Sequence, residues 1–200
     1  VAFGNGALVA VSTNGTNNQA MTSEALNSVW ASGIYSDPNN PGSQWIMLVG
    51  TPSVGFYSFG KASKSVSLGS NFVTQQSTIV QCNNLVYLFR GPSEAPLYWD
   101  GNWATEFQVA PTPTPLAGFE TIPSSDHAVY YQNRLWVKNG KDLVSASDVL
   151  DFNTYDQIAN QFNLNTGSSD YVVSTFPFGE NTLLVFKNKQ NGEMKGIFCE

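Results

Sequence analysis

The feature of this 200-residue chain that most limits its fold is a repeat: a polar turn residue, usually Asn, followed by a short and largely apolar run. Five copies stand in the sequence: Asn5 to Val11, Gln44 to Val49, Asn84 to Phe89, Asn133 to Lys138 and Asn181 to Phe186. Successive copies are 39, 40, 49 and 48 residues apart. That spacing suits the blade of a β-propeller, a four-stranded antiparallel meander whose strands run outward from a central channel, whereas ankyrin, tetratricopeptide and leucine-rich units are shorter. The runs are rich in Val, Leu and aromatic residues, lack helical spacing and read as strands covered on both faces.

Further strand candidates lie between the copies, each closed by hairpin chemistry. Val54 to Phe59 ends at Gly60, and Leu97 to Trp99 enters the Asp100-Gly101-Asn102 turn before a strand expected over Trp103 to Phe107. His127 to Tyr131 pairs with Leu135 to Val137 across Gln132-Asn133; Asp142 to Ala146 follows Asn139-Gly140; Tyr171 to Phe176 pairs with Leu183 to Phe186. Three stretches interrupt the pattern. A short helix is expected over Thr22 to Trp30, an extended connector over the Pro-rich Val109 to Ser125, and a blade-edge loop over Asp148 to Phe162. The expectation is an all-β fold, a propeller or partial propeller of four-stranded antiparallel blades, forming one domain over residues 1–200 with four to five blade repeats. A start at Val1 and an end at Glu200 are read as those of a piece of a longer chain.

With 13 Phe, 8 Tyr and 5 Trp the chain has ample material for a packed core. Charged residues make up only 12%, and the net charge is −6. Nine scattered Lys and Arg form no basic patch, which argues against a nucleic-acid reader but suits a wall past which DNA moves without sticking. No apolar run reaches the length of a membrane span, and no basic region with a long apolar stretch marks a signal peptide. Cys82 and Cys199 are too few and too distant for a disulfide framework or a metal motif and read as small buried hydrophobes.

Catalytic chemistry has few footholds. A Ser-His-Asp arrangement can use only His127, and its neighbours Ser125 and Asp126 alternate in direction along a strand. No metal or nucleotide cofactor is expected: the oxygen ligands Asp148, Asp151 and Asp156 do not follow the spacing of a calcium loop, and no phosphate-binding glycine loop occurs. A glycosidase needs two carboxylates at the channel mouth, with Asp100, Asp126, Asp148, Asp151, Asp170 and Glu180 as candidates. Any chain with fifteen acidic residues offers such pairs. The chain is therefore expected not to be an enzyme. Sugar binding needs only rings and amides, and Trp99, Asp100, Asn102 and Trp103 at one turn are the candidate contacts; the plainer reading packs both indoles between blades.

Tyr130 to Val137, Ser145 to Asp151, Phe162 to Gly167 and Phe178 to Lys187 together resemble propeller segments of tail proteins from short-tailed bacteriophages, the tail nozzle or tail-tubular family. Val86 to Gly91 with Leu97 to Gly101 is a similar blade pattern. The resemblance covers about the C-terminal three fifths of the chain, and the first eighty residues depart from it. It implies a virion location in the tail, a homo-oligomeric ring in contact with portal, adaptor or other tail proteins, and passage of DNA through the lumen. The alternative is a carbohydrate-binding or host-receptor recognition propeller.

Overall fold

The structure is a computed structural model that describes residues 2–4, 7–11, 20–22, 28–111, 118–164, 166–188 and 194–199. No helix occurs among the described residues, and the strands form successive antiparallel sheets. Blade 1 is three-stranded, β1 (Ala2–Gly4), β2 (Ala7–Val11) and β3 (Ala20–Thr22). Blade 2 runs β4 (Ala31–Ser36), β5 (Gln44–Val49), β6 (Ser53–Tyr57) and β7 (Lys64–Ser67), and blade 3 runs β8 (Thr78–Cys82), β9 (Leu85–Phe89), β10 (Leu97–Trp99) and β11 (Gln108–Val109). A small ladder joins β12 (Phe119–Glu120) to β16 (Tyr155–Asp156). Blade 4 orders β13 (Ala128–Tyr131), β14 (Arg134–Lys138), β15 (Leu143–Ala146) and β17 (Gln161–Asn163); blade 5 orders β18 (Tyr171–Phe178), β19 (Thr182–Asn188) and β20 (Met194–Cys199).

Each copy of the sequence repeat is the second strand of its blade: β2, β5, β9, β14 and β19. Each of these strands has a neighbour on either side in its sheet, a position that favours an apolar run. In blade 3 the strand is covered on both faces, with Val86, Tyr87, Leu88 and Phe89 all buried. Turn chemistry closes the hairpins as expected. Gln132 (φ 50°) and Asn133 (φ 57°) both sit in the left-handed region between β13 and β14, the backbone that a tight two-residue hairpin requires.

The first strands β4, β8, β13 and β18 stand side by side in that order. A groove of about 660 Å³ runs between them, lined from each strand in turn by Ile34, Val80, Val129 and Phe176 among others. Those strands are innermost and the later strands of each blade lie farther out, so the sheets are arranged radially about one axis. The fold is a partial β-propeller.

Two expectations are corrected. Trp103 to Phe107 is not a strand: the fourth strand of blade 3 is Gln108–Val109, and the preceding loop turns Trp103 inward against the core. The loop after β15 is real, but its end at Gln161–Asn163 is the fourth strand of blade 4, paired with β15. The helix expected over Thr22 to Trp30 falls largely on residues 23–27, outside the described residues, while Thr22 ends a strand. Residues 112–117 of the Pro-rich connector also lie outside the described residues.

Candidate functional site

Propellers commonly present ligands at the axial groove, and here its lining is built from the innermost strand of four blades. Its described polar lining is Ser36, Gln81, Asn83 and Tyr130, with no Asp, Glu, Lys, Arg or His among the described lining residues. The amides are spent on joining blades. Gln81 Oε1 accepts from the Ser36 N–H at 2.7 Å while Gln81 Nε2 donates to the Ser36 carbonyl at 2.9 Å and to Asn83 O at 2.7 Å. Tyr130 Oη donates to Asn83 Oδ1 at 2.9 Å, tying blade 4 to blade 3. The groove is therefore a neutral, largely apolar surface whose amides hold the blades in register.

His127 faces the seam between blades 4 and 5. Its Nε2 accepts the Thr175 N–H at 2.8 Å and lies 3.1 Å from the Thr175 carbonyl, so the ring works as an inter-blade tie. Burial pushes its pKa below the ordinary value of 6.5, with the Thr175 carbonyl and Asp126 pulling the other way. The neighbours do not assemble around it. Ser125 Oγ donates to the His127 carbonyl at 3.0 Å rather than to the ring, and Asp126 pairs with Lys138 Nζ at 3.0 Å. No Ser-His-Asp relay forms.

The Trp99 turn is also an architectural device. Trp99 is 1% exposed and donates from Nε1 to the Asn102 carbonyl at 2.9 Å, which removes its ring faces from any sugar. Trp103 packs among Tyr35, Trp45, Phe56 and Trp99, and Lys64 Nζ caps the ring 3.8 Å from its centroid. Asp100 Oδ1 accepts from the Asn102 N–H at 3.0 Å and from Thr105 Oγ1 at 2.7 Å; Asn102 Oδ1 accepts from the Ala104 N–H at 3.0 Å. Asp100 and Asn102 are exposed, but the two rings that stacking on a sugar needs are committed to the core.

Among the other carboxylates, Asp148 accepts from Asn160 Nδ2 at 2.7 Å, and Asp156 caps the Ile158 and Ala159 N–H groups, which hold its pKa below the ordinary carboxylate range. No cluster of three metal-ligating side chains occurs among the described residues. No helix among them is long and apolar enough to cross a membrane. Cys82 is a free, buried thiol whose pKa burial pushes well up.

Sequence reasoning missed the groups that cross the seams: Gln81, Asn83 with Tyr130, and the buried Lys187, whose Nζ donates to Asp142 Oδ1 at 2.7 Å. A signal for them existed. Gln81 and Ser36 are 45 residues apart, Tyr130 and Asn83 are 47, and Gln132 and Glu180 are 48, so residues one repeat length apart are the ones that meet.

No family model and no curated protein matches the sequence. Solved structures do match. A streptogramin B lyase superposes with a TM-score of 0.59 at 10% identity, over 96% of this chain and 62% of that one. Selenomethionine-substituted virginiamycin B lyase from Staphylococcus aureus gives 0.56 at 11% identity, over 96% and 63%. This chain shares their fold. It spans a little under two thirds of their length, and at this identity the likeness concerns the fold alone. A catalytically inactive virginiamycin B lyase from the same organism, bound to quinupristin, matches at a TM-score of 0.57 and 11% identity. The expectation that the chain is not an enzyme is thereby corrected: enzymes are built on this architecture, so the fold gives no ground for excluding catalysis.

Proposed function

We propose that the chain is a wall segment of the tail of a short-tailed phage, a virion component of the nozzle or tubular kind that assembles as a homo-oligomeric ring with portal, adaptor or other tail proteins around the path of DNA delivery. The observation that carries this reading is where the resembling segments lie. Tyr130 to Val137 and Phe178 to Lys187, far apart in sequence, meet at one seam: Gln132 Nε2 donates to the Glu180 carbonyl at 2.7 Å, and Tyr131 Oη to the Gly179 carbonyl at 3.3 Å. Ser145 to Asp151 belongs to the same unit, since Arg134 Nη1 donates to the Ser147 carbonyl at 2.6 Å and Ser147 Oγ accepts the Leu135 N–H at 2.9 Å. The resemblance thus follows one continuous piece of architecture rather than scattered positions.

The loop after β15 supplies the candidate subunit contact. Val149, Leu150 and Ile158 are 53%, 59% and 88% exposed on it. Leu150 is held at φ 62°, a conformation that costs a branched residue on the order of 1–3 kcal/mol, and its N–H is fixed by the Asn133 carbonyl at 2.9 Å. An exposed apolar side chain kept in strained backbone is a presented side chain. In the test, Leu150→Asp combined with Ile158→Asp removes ring assembly in mass photometry while the far-ultraviolet circular dichroism stays that of the parent. Unchanged oligomer size in the double variant would count against the contact, and absence of the protein from fractionated tails would count against the reading.

A further inference from the structure

Tyr35 is fully buried, and its Oη makes no hydrogen bond. Its ring packs on Phe56, Trp99 and Trp103 at 5.7, 5.2 and 5.8 Å, contacts that a phenylalanine would make equally well. The hydroxyl is therefore the part of the residue that packing does not explain. A buried polar atom without a partner marks a place for a water or an ion.

Three turns meet around that hydroxyl. In an antiparallel meander the turns after the first and third strands lie at the same end of the blade, so those after β4, β8 and β10 share one end of blades 2 and 3. Gln81 Nε2 draws two of them together, donating to the Ser36 carbonyl at 2.9 Å and to the Asn83 carbonyl at 2.7 Å. The next residues along are Asp37 and Asn84. Gly101 brings in the third turn: a β-carbon built on it would stand 3.0 Å from Tyr35 Oη and 3.1 Å from the Asn84 carbonyl, so glycine leaves open the space on which these two oxygens converge. Asp100 immediately precedes it.

Each carboxylate is fixed through one oxygen. Asp37 Oδ1 accepts from the Asn39 N–H at 3.0 Å, and Asp100 Oδ1 accepts from the Asn102 N–H at 3.0 Å and from Thr105 Oγ1 at 2.7 Å. Among the described residues neither Oδ2 has a partner and neither acid joins an ion pair. Both charges are felt at the hydroxyl: burial first, then Asp37 and Asp100, push the Tyr35 pKa up to about 12 and keep it a neutral phenol.

We propose that Asp37, Asp100 and the Asn84 carbonyl hold one calcium ion across the seam between blades 2 and 3, with Tyr35 Oη bonding a water of its shell. The donors are all oxygen and two are anionic, which suits a hard divalent cation. Asp37 is half-buried and Asp100 exposed, so water completes the six to eight ligands that calcium takes. Magnesium demands near-ideal octahedral geometry and dehydrates reluctantly, so separate turns suit it less. Two carboxylates with several waters belong to the weak end of calcium sites, with a Kd of roughly 10⁻⁴–10⁻³ M. The inference does not depend on the tail reading above.

The test titrates the purified chain, freed of metal by a chelator, with calcium chloride and separately with terbium, which occupies calcium sites and emits when a nearby phenol or indole is excited. Saturable terbium emission that calcium displaces is expected, as is a thermal midpoint raised by calcium well beyond the effect of equal magnesium. Asp37→Asn and Asp100→Asn keep the turn acceptors and are each expected to weaken calcium at least tenfold. Glu94→Gln, in the turn between β9 and β10 at the opposite end of blade 3, is expected to bind as the parent does. Tyr35→Phe is expected to weaken calcium severalfold and to leave the calcium-free midpoint unchanged or higher, since it removes an orphaned hydroxyl. No sensitised emission from the parent chain, equal midpoint shifts from calcium and magnesium, or full affinity in both Asp→Asn variants would overturn the proposal.

Discussion

Gly101 stands at φ 81°, and a β-carbon built on it would meet Tyr35 Oη at 3.0 Å and the Asn84 carbonyl at 3.1 Å. Both the backbone and the space therefore demand glycine. Gly101→Ala is expected to destabilise the fold by about 1–3 kcal/mol in denaturant unfolding. Gly33 is required for a different reason: the Ile79 carbonyl lies 3.0 Å from its would-be β-carbon, so blades 2 and 3 approach there to backbone contact. Trp103 is half-buried amid four aromatic neighbours, and Trp103→Ala is expected to cost about 3 kcal/mol, read as a lower unfolding midpoint with loss of near-ultraviolet dichroism. The Asp100-Gly101 turn was legible in the sequence because positive φ has a residue signature. The direction of Trp103 was not, because nothing local to a loop tells which neighbouring blade will offer it a surface, and the same stretch reads equally well as a strand.

At the scale of elements, the seams differ in what holds them. Between blades 2 and 3 the side-chain ties include the neutral Gln81–Ser36 pair, and between blades 3 and 4 they include Thr78 Oγ1 to the Asp126 carbonyl, Tyr87 Oη to Asn153 Oδ1 and Tyr130 to Asn83. Between blades 4 and 5 they include His127 and the Lys187–Asp142 pair, both titratable. The native pKa of His127 lies below its ordinary 6.5, so its contribution is complete above about pH 6.5 and is lost as the pH falls from there toward the native value. Asp142 is held below its ordinary 3.8 by Lys187, so its contribution is present above that value and is lost as the pH falls beneath it. Acidification from pH 7.5 to 5.5 is therefore expected to lower hydrogen-exchange protection in β18 and β19 severalfold, after correction for intrinsic rates, while β5 and β9 stay protected. His127→Gln should flatten that response. The repeat made the second strands legible, since a strand flanked on both sides carries an unbroken apolar run. Blade 4 hid its fourth strand because the loop after Ala146 intervenes before Gln161–Asn163, and that strand has only an exposed, mixed pattern of its own.

For the molecule as a whole, the radial arrangement was readable from repeat spacing, and the residues that meet across seams follow from it. The functional reading was not readable in that way, because the fold is shared with lyases and function resides in surfaces that the strand pattern does not encode. The chain has two kinds of surface: an inner groove with no charged group among its described lining, and the loop after β15, which presents Leu150 and Ile158. A wall built from such segments needs identical copies to meet, and the exposed loop after β15 is the proposed contact. Electron microscopy of the purified chain at micromolar concentration tests this directly. Closed rings of uniform diameter with an open lumen are expected, lost in the Leu150→Asp, Ile158→Asp double variant; a uniform population of single subunits for the parent chain would contradict a ring-forming wall.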